Sequence, residues 1–233
     1  MKRKVILKSS ILAVVAGLSV FTINSVFADE LPVQFMGVND FHGALEQTGT
    51  ARLEGETVKN AGTAPLLATY LNDSQKDFET ENAGTPNASI RVQAGDMVGA
   101  SPANSALLQD EPTVKVFNEM NFEYGTLGNH EFDEGLGEFN RIMKGEAPTP
   151  GQFNKIVDDY HHEASKQEVV IANLVDKDTN KIPFDWKPYA IKEIPVNDKT
   201  VKVGFIGVVT TEFPNLVLRK NHEQYRVLDE AES

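Results

Sequence analysis

Three short stretches carry the residues that could do chemistry. "VNDFHG" holds Asp40 and His42 two apart, "QAGDM" holds Asp96 directly after a glycine, and "GTLGNHEFDEG" holds Asn129, His130 and Asp133 on one glycine-bounded turn. Carboxylate, imidazole and carboxamide without sulfur suit zinc, manganese or iron better than calcium or copper. In an extended chain, residues two apart project to the same side, so Asp40 and His42 are expected to grip one ion together. Behind Gly95 the backbone can turn sharply, and the two oxygens of Asp96 can then reach two ions. Each piece alone has an ordinary structural reading: Asp-x-His arises by chance, Gly-Asp is a turn pair, and Asn-His-Glu is a capped helix start. All three in order, each behind a predicted strand, favour a shared metal site.

Positioning those residues requires strands that end in polar tips. Short β-branched or apolar runs predict strands at Val33 to Val38, Ile90 to Gln93, Gly125 to Leu127, Val169 to Ala172 and Val201 to Val209. Between them, helical spacing over Thr63 to Phe78 places Leu66, Leu67, Tyr70 and Leu71 on one face, and Thr113 to Met120 groups Val116, Phe117 and Met120. Alternating strands and helices predict an α/β layered domain, in which ligands gather beyond the carboxyl ends of the strands. Three strand ends thus deliver Asp40, His42, Asp96, Asn129 and His130 to one crevice.

The rest of the chain bounds the setting. Lys2, Arg3, Lys4 and Lys8 precede an apolar run from Ile11 to Ile23, and Val26-Phe27-Ala28 offers a signal-peptidase site, so residues 1–28 read as a cleaved export signal. That run is shorter than the roughly 20 residues of a membrane span. The net charge of −12 becomes more negative once those four cations are removed. Such acidity argues against binding a nucleic-acid polymer by bulk electrostatics. With no cysteine, the chain excludes thiol nucleophiles and Cys-based zinc sites. An exported, Cys-free chain fits an extracellular or cell-surface protein of a bacterium with little reliance on disulfides, of the Gram-positive type. Residues 29–233 are ample for one domain and too few for two large ones. His161 and His162 read as a solvated helix face, and His222 as surface. Asn173 reads either as a crevice residue or as a turn cap, and Trp186, Phe184 and Tyr189 read as packing.

Asp40-Phe41-His42, Gly95-Asp96 and Gly128-Asn129-His130-Glu131 resemble the three N-terminal blocks of the calcineurin-like metallophosphoesterases. More narrowly, "VNDFHGALE", "QAGDMVGASPANSALLQDEPTVKVFNEMNFEYGTLGNHEFDEG" and "VKVGFIGVVTTEFPNL" resemble the exported bacterial 5'-nucleotidases, which include UDP-sugar hydrolases and 2',3'-cyclic-nucleotide phosphodiesterases, over about Pro32 to Arg226. The resemblance implies an α/β/β/α sandwich and two divalent metal ions. It assigns Asp40 and His42 to the first ion, Asp96 to both and Asn129 to the second. It makes His130 a non-ligand that stabilises the attacked phosphoryl group or protonates the leaving oxygen, with Asp133 orienting it and with Asn129 and His130 touching the substrate, a nucleotide or other small phosphoester. A relative acting on a sulfur ester shares the same core. The family's later Gly-His and Gly-His-x-His ligands have no match between Asp133 and Ser233. The expectation is therefore the N-terminal part of a sandwich incomplete at its C-terminal side, without the nucleotide-binding domain and inactive alone. The alternative is a non-catalytic surface or binding module on the same fold.

Overall fold

The computed structural model describes residues 31–231, and the export signal expected at 1–28 lies outside them. In chain order, β1 (Val33–Val38) is followed by the hairpin β2 (Thr48–Leu53) and β3 (Glu56–Gly62), then α1 (Ala64–Glu81) and β4 (Ala88–Gln93). Next come α2 (Ala103–Ala106), α3 (Glu111–Glu119), β5 (Tyr124–Gly125), a 3-10 turn (His130–Phe132), α4 (Leu136–Lys144) and α5 (Lys155–Asp158). The chain continues through β6 (Glu168–Val169), β7 (Leu174–Asp176), the hairpin β8 (Tyr189–Val196) and β9 (Lys199–Ile206), a 3-10 turn (Phe213–Asn215), α6 (Arg219–His222) and β10 (Tyr225–Val227).

The architecture is mixed α/β. Strands β1, β4, β5 and β6 form a parallel sheet in the order β1-β4-β5-β6. Alternate residues of these strands face opposite ways, and each face buries its own core. On one side Met36, Val169 and Ile171 pack with Leu71, Val114, Phe117 and Phe139 of α1, α3 and α4. On the other side Ile90, Tyr124 and Val170 pack with Ala190, Ile194 and Val196 of β8. Helices, parallel sheet and antiparallel hairpin are thus stacked as the first layers of the expected sandwich. Each fully buried aliphatic or aromatic side chain here contributes roughly 1.5–3 kcal/mol.

Helix α1 begins where Thr63 accepts a hydrogen bond from the Leu66 N–H at 3.4 Å, with Pro65 in the first turn. Its core stripe is Ala64, Leu67, Ala68 and Leu71. Tyr70, expected on that face, is 65% exposed, because it precedes Leu71 by one residue and so lies about 100° around the helix. Helix α3 starts earlier than expected, at Glu111, with Pro112 in its first turn. At the sheet, β9 ends at Ile206 instead of Val209. A side chain at Gly207 would fall 2.0 Å from the Val170 carbonyl, so the chain passes there only as glycine.

Candidate metal centre

Because β1, β4 and β5 are parallel neighbours, their carboxyl ends open on one edge of the sheet. The loops beyond them are laced together: the Asp40 N–H donates to the Gly95 carbonyl at 3.2 Å, His42 to Asp96 at 3.0 Å and Gly43 to Met97 at 3.2 Å. The chain here is not extended, as the sequence suggested. Asp40 (φ 52°), His42 (φ 48°), Gly95 (φ 94°) and Asp96 (φ 53°) are all left-handed. Non-glycine residues in this region store of order 1–3 kcal/mol each where the surroundings hold them there. Phe41 supplies part of that hold, with its ring edge-on to the buried Phe117 at 5.0 Å. Asp40 and His42 still face one another, with Oδ1 3.7 Å from Nε2.

The two imidazoles are oriented by the same device. His42 Nδ1 lies 3.0 Å from the Gly99 carbonyl. A carbonyl only accepts, so Nδ1 carries the proton and Nε2 is left as a lone-pair donor. His130 Nδ1 lies 2.8 Å from Asp133 Oδ2, which likewise leaves its Nε2 facing the site. The rings meet edge-on at 4.7 Å. His42, Asp96 and His130 each offer a ligand atom within 4.8 Å of the others, a donor set that fits a divalent cation of the zinc, manganese or iron type. His130 therefore stands within reach of the same ion as His42 and Asp96, although the resemblance made it a non-ligand. Asn129 occupies the N-cap of the 3-10 turn, but its side chain does not cap the turn that it begins. Burial alone would lower the His130 pKa, but the hydrogen bond and charge of Asp133, with Asp96 and Glu131 beyond, raise it above the ordinary 6.5.

Two residues that the sequence did not single out hold this arrangement. Gln93 accepts from the Gly95 N–H at 2.6 Å and donates to the Thr126 carbonyl at 3.0 Å, tying the β4 loop to the β5 loop. Glu131, 2% exposed, accepts from the N–H groups of Asp96, Met97 and Gly128 at 3.0, 2.7 and 2.6 Å. Its burial pushes its pKa up to about 7 against the pull of those hydrogen bonds. The only sequence signal for Glu131 was its place directly behind Asn129-His130.

Other expected positions fall elsewhere. Asn173 is fully buried and does not line the crevice. It donates to the Val209 carbonyl at 2.6 Å and accepts from the Val209 N–H at 2.9 Å, locking two chain segments together. His162 is in neither a helix nor solvent: its Nδ1 pairs with the buried Glu111 at 2.6 Å, and Glu111 also accepts from Arg141 at 2.9 Å. His161 is exposed but also lies outside any helix. His222 rests against Phe213 with ring centroids 5.6 Å apart. Trp186 packs between Phe139 and Phe184 as expected, whereas Tyr189 is 55% exposed on the outer face of β8.

A cleft of about 110 Å³ opens beside His130 and Asp133, walled by Ala100, Ser101, Asp110, Glu134 and Glu138 among others. Among the described residues, no Lys or Arg lines it. A phosphate dianion entering beside these carboxylates needs cations to offset their charge.

No family model matches the chain. It is 52% identical over 207 residues to the cell wall protein Lmo0130 of Listeria monocytogenes, covering 88% of this chain and 25% of that protein. It is 36% identical over 205 residues to the endonuclease YhcR of Bacillus subtilis, covering 87% of this chain and 15% of that one. Over 133 residues it is 34% identical to a 2',3'-cyclic-nucleotide 2'-phosphodiesterase/3'-nucleotidase of Salmonella typhimurium, covering 52% of this chain and 17% of that protein. The chain thus spans a quarter or less of the length of these relatives. Among solved structures, the NAD nucleotidase of Haemophilus influenzae shares the fold with a TM-score of 0.58 at 23% identity, over 84% of this chain and 29% of that one. A putative 5'-nucleotidase of Staphylococcus aureus does so with 0.56 at 24% identity, over 86% and 33%. The chain thus shares the fold of these nucleotidases and is similar in sequence to part of a 2',3'-cyclic-nucleotide 2'-phosphodiesterase/3'-nucleotidase.

Proposed function

We propose that these residues form the metal-binding half of an exported, cell-surface phosphohydrolase that releases phosphate from nucleotides. The reaction is of the 5'-nucleotidase type, with cyclic-nucleotide phosphodiesterase or UDP-sugar hydrolase activity as variants on one core. The observation that carries this reading is the convergence of His42, Asp96 and His130 within 4.8 Å, with the His130 ring fixed by Asp133 at 2.8 Å. Asp40 and His42 would hold one divalent ion, Asp96 would bridge, and Asn129 would hold a second. Such ions, when bound, supply positive charge to phosphate oxygens and acidify a water molecule. The remaining work falls to the chain's own groups. Asp133 fixes the His130 ring so that Nε2 faces the substrate phosphate, and protonated there it donates to the leaving oxygen. The carboxamide of the neighbouring Asn129 would orient the same phosphate. Surface placement is supported by the export-signal pattern and by the name of the Listeria relative.

A polynucleotide substrate is the competing reading, since one relative is named an endonuclease. The net charge of −12 favours the small nucleotide, because binding a polyanion along its backbone relies on surface cations. The test incubates the full natural protein with manganese or zinc and, separately, AMP, 2',3'-cyclic AMP, UDP-glucose and single-stranded DNA. Inorganic phosphate from a nucleotide, lost on chelation and with DNA left intact, is the expected result. DNA cleavage without phosphate release moves the assignment to the polynucleotide, and activity indifferent to chelator overturns the metal reading.

A further inference from the structure

The most heavily engaged carboxylate near the crevice belongs to a residue with no part in the proposed chemistry. Glu131 is 2% exposed, and its two oxygens accept three backbone N–H groups: Oε1 from Met97 at 2.7 Å, and Oε2 from Asp96 at 3.0 Å and Gly128 at 2.6 Å. The N–H groups of Asp96 and Met97 are successive in a turn where Gly95 and Asp96 have φ 94° and 53°, and both converge on the Glu131 carboxylate. Successive amides turned in this manner make an anion-binding concavity. Here the concavity is filled from within the chain. The exchange is reciprocal, since the Asp96 carboxylate accepts the His130 N–H at 2.8 Å. Each loop thus lends a carboxylate to the other's backbone. Three hydrogen bonds cross between the loops to close a clasp beside Asp96 and His130, and the Gly128 N–H bond to Glu131 ties it within its own loop. There is no spare room within it: a Cβ at Gly128 would lie 2.2 Å from Asp96 Oδ1, and one at Gly95 would lie 2.6 Å from the Gly128 nitrogen.

We infer that Glu131 is the positioning residue of the metal centre, setting the spacing between the Asp96 turn and the Asn129-His130 turn through their backbones without touching metal or substrate. This rests on the proposed metal function for its consequence, but not for its geometry. The physical reason is specific. Once ionised, a carboxylate is an acceptor only and can serve three donors, whereas a carboxamide of equal size must turn its NH₂ toward at least one N–H group. Glu131→Gln therefore breaks the clasp with almost no change in volume. Glu131→Asp keeps the charge but draws the oxygens back by one methylene.

The experiment uses the full chain and Co²⁺ as the probe, because its visible spectrum reports the geometry of its ligands. Wild type, Glu131→Gln, Glu131→Asp and Ile194→Ala are compared. Ile194 lies in the core on the opposite face of the sheet and serves as a control for general destabilisation. Amide exchange of Asp96, Met97 and Gly128 is followed by NMR without metal. The expected result is that Glu131→Gln stays folded, loses protection at those three amides by at least tenfold, binds Co²⁺ at least tenfold more weakly and alters its spectrum. Glu131→Asp should recover part of the affinity, and Ile194→Ala should keep the wild-type spectrum despite a lower melting temperature. Wild-type affinity and spectrum in Glu131→Gln overturn the inference, as does an equal spectral change in Ile194→Ala. If wild type binds no Co²⁺, the metal reading fails by itself, and the exchange of the three amides still decides whether Glu131 is the clasp. Should Glu131→Gln not fold, Glu131→Asp carries the same comparison.

Discussion

At His130 the hydrogen bond to Asp133 fixes the direction of the ring and, with the charges of Asp133, Asp96 and Glu131, raises its proton affinity against the pull of burial. The pKa of His130 is raised above 6.5 by Asp133 despite partial burial. The proton bound at His130 therefore stabilises the folded, metal-free chain fully below pH 6.5, and that contribution is lost as pH rises through the higher folded value. Asp133→Asn should lower the His130 midpoint in an NMR titration of its ring protons and flatten the fall in melting temperature above pH 6.5. An unmoved midpoint would mean that Asp133 does not hold the ring in solution. Substitutions should also separate the roles in the proposed hydrolysis. Asp96→Asn should abolish metal pairing, whereas His130→Ala should retain a metal-dependent spectrum and lose about 10²- to 10⁴-fold in turnover. Equal turnover in His130→Ala would sink its assigned role. That Asp40, His42, Asp96 and His130 come together at one edge of the sheet was legible in the sequence, because each lies just behind a strand. Glu131 and Gln93 were not, since they act on backbone amides, and any loop presents those whatever its side chains.

At the scale of elements, the turns carry more constraint than the strands they follow. A Cβ at Gly128 would press on the Asp96 carboxylate, while one at Gly137 in α4 would meet nothing within 4 Å. Gly137→Ala should accordingly stabilise the chain by about 0.5–1 kcal/mol through helix propensity. Gly128→Ala should leave the fold intact but weaken divalent binding by tenfold or more, read by calorimetric titration against the Gly137 variant. Equal affinities would show that the Asp96 turn yields freely. Strand β1 was legible to the residue because both its faces are patterned, and α1 because Thr63 and Pro65 mark its start. The hairpin β2–β3 was missed although its signal was local: Glu54 and Gly55 close it with φ 46° and 90°, the pair of positive angles that a two-residue hairpin turn demands. Strand β8 was missed because only alternate residues, Ala190, Ile194 and Val196 among them, are buried, and the charges between them hide the apolar period. Its partner across the sheet is Ile90, a hundred residues earlier, and no local pattern announces that contact.

Over the whole molecule, the acidity of the chain and the shape of the site point to one property. Asp40, Asp96 and Asp133 are gathered at one edge of the sheet within a chain of net charge −12, so the metal-free fold carries local and global repulsion together. The unfolded chain gathers none of these groups, so an ion that binds the folded state adds RT ln(1 + [L]/Kd) to stability, about 2.7 kcal/mol at a hundredfold excess over Kd. For a domain of this size each kcal/mol raises the melting temperature by about 2–4 °C, so saturating Mn²⁺ or Zn²⁺ should raise it by about 5–11 °C. Chelation should reverse the shift, and His42→Ala should remove most of it. Sodium chloride should also raise the melting temperature of the metal-free chain, by screening the same carboxylates, but should do little once the divalent ion is bound. A nonspecific counterion effect would look different: the shift would survive His42→Ala and would be matched by salt. Equal stabilisation of wild type and His42→Ala would assign the effect to the acidic surface as a whole and remove the metal centre from it.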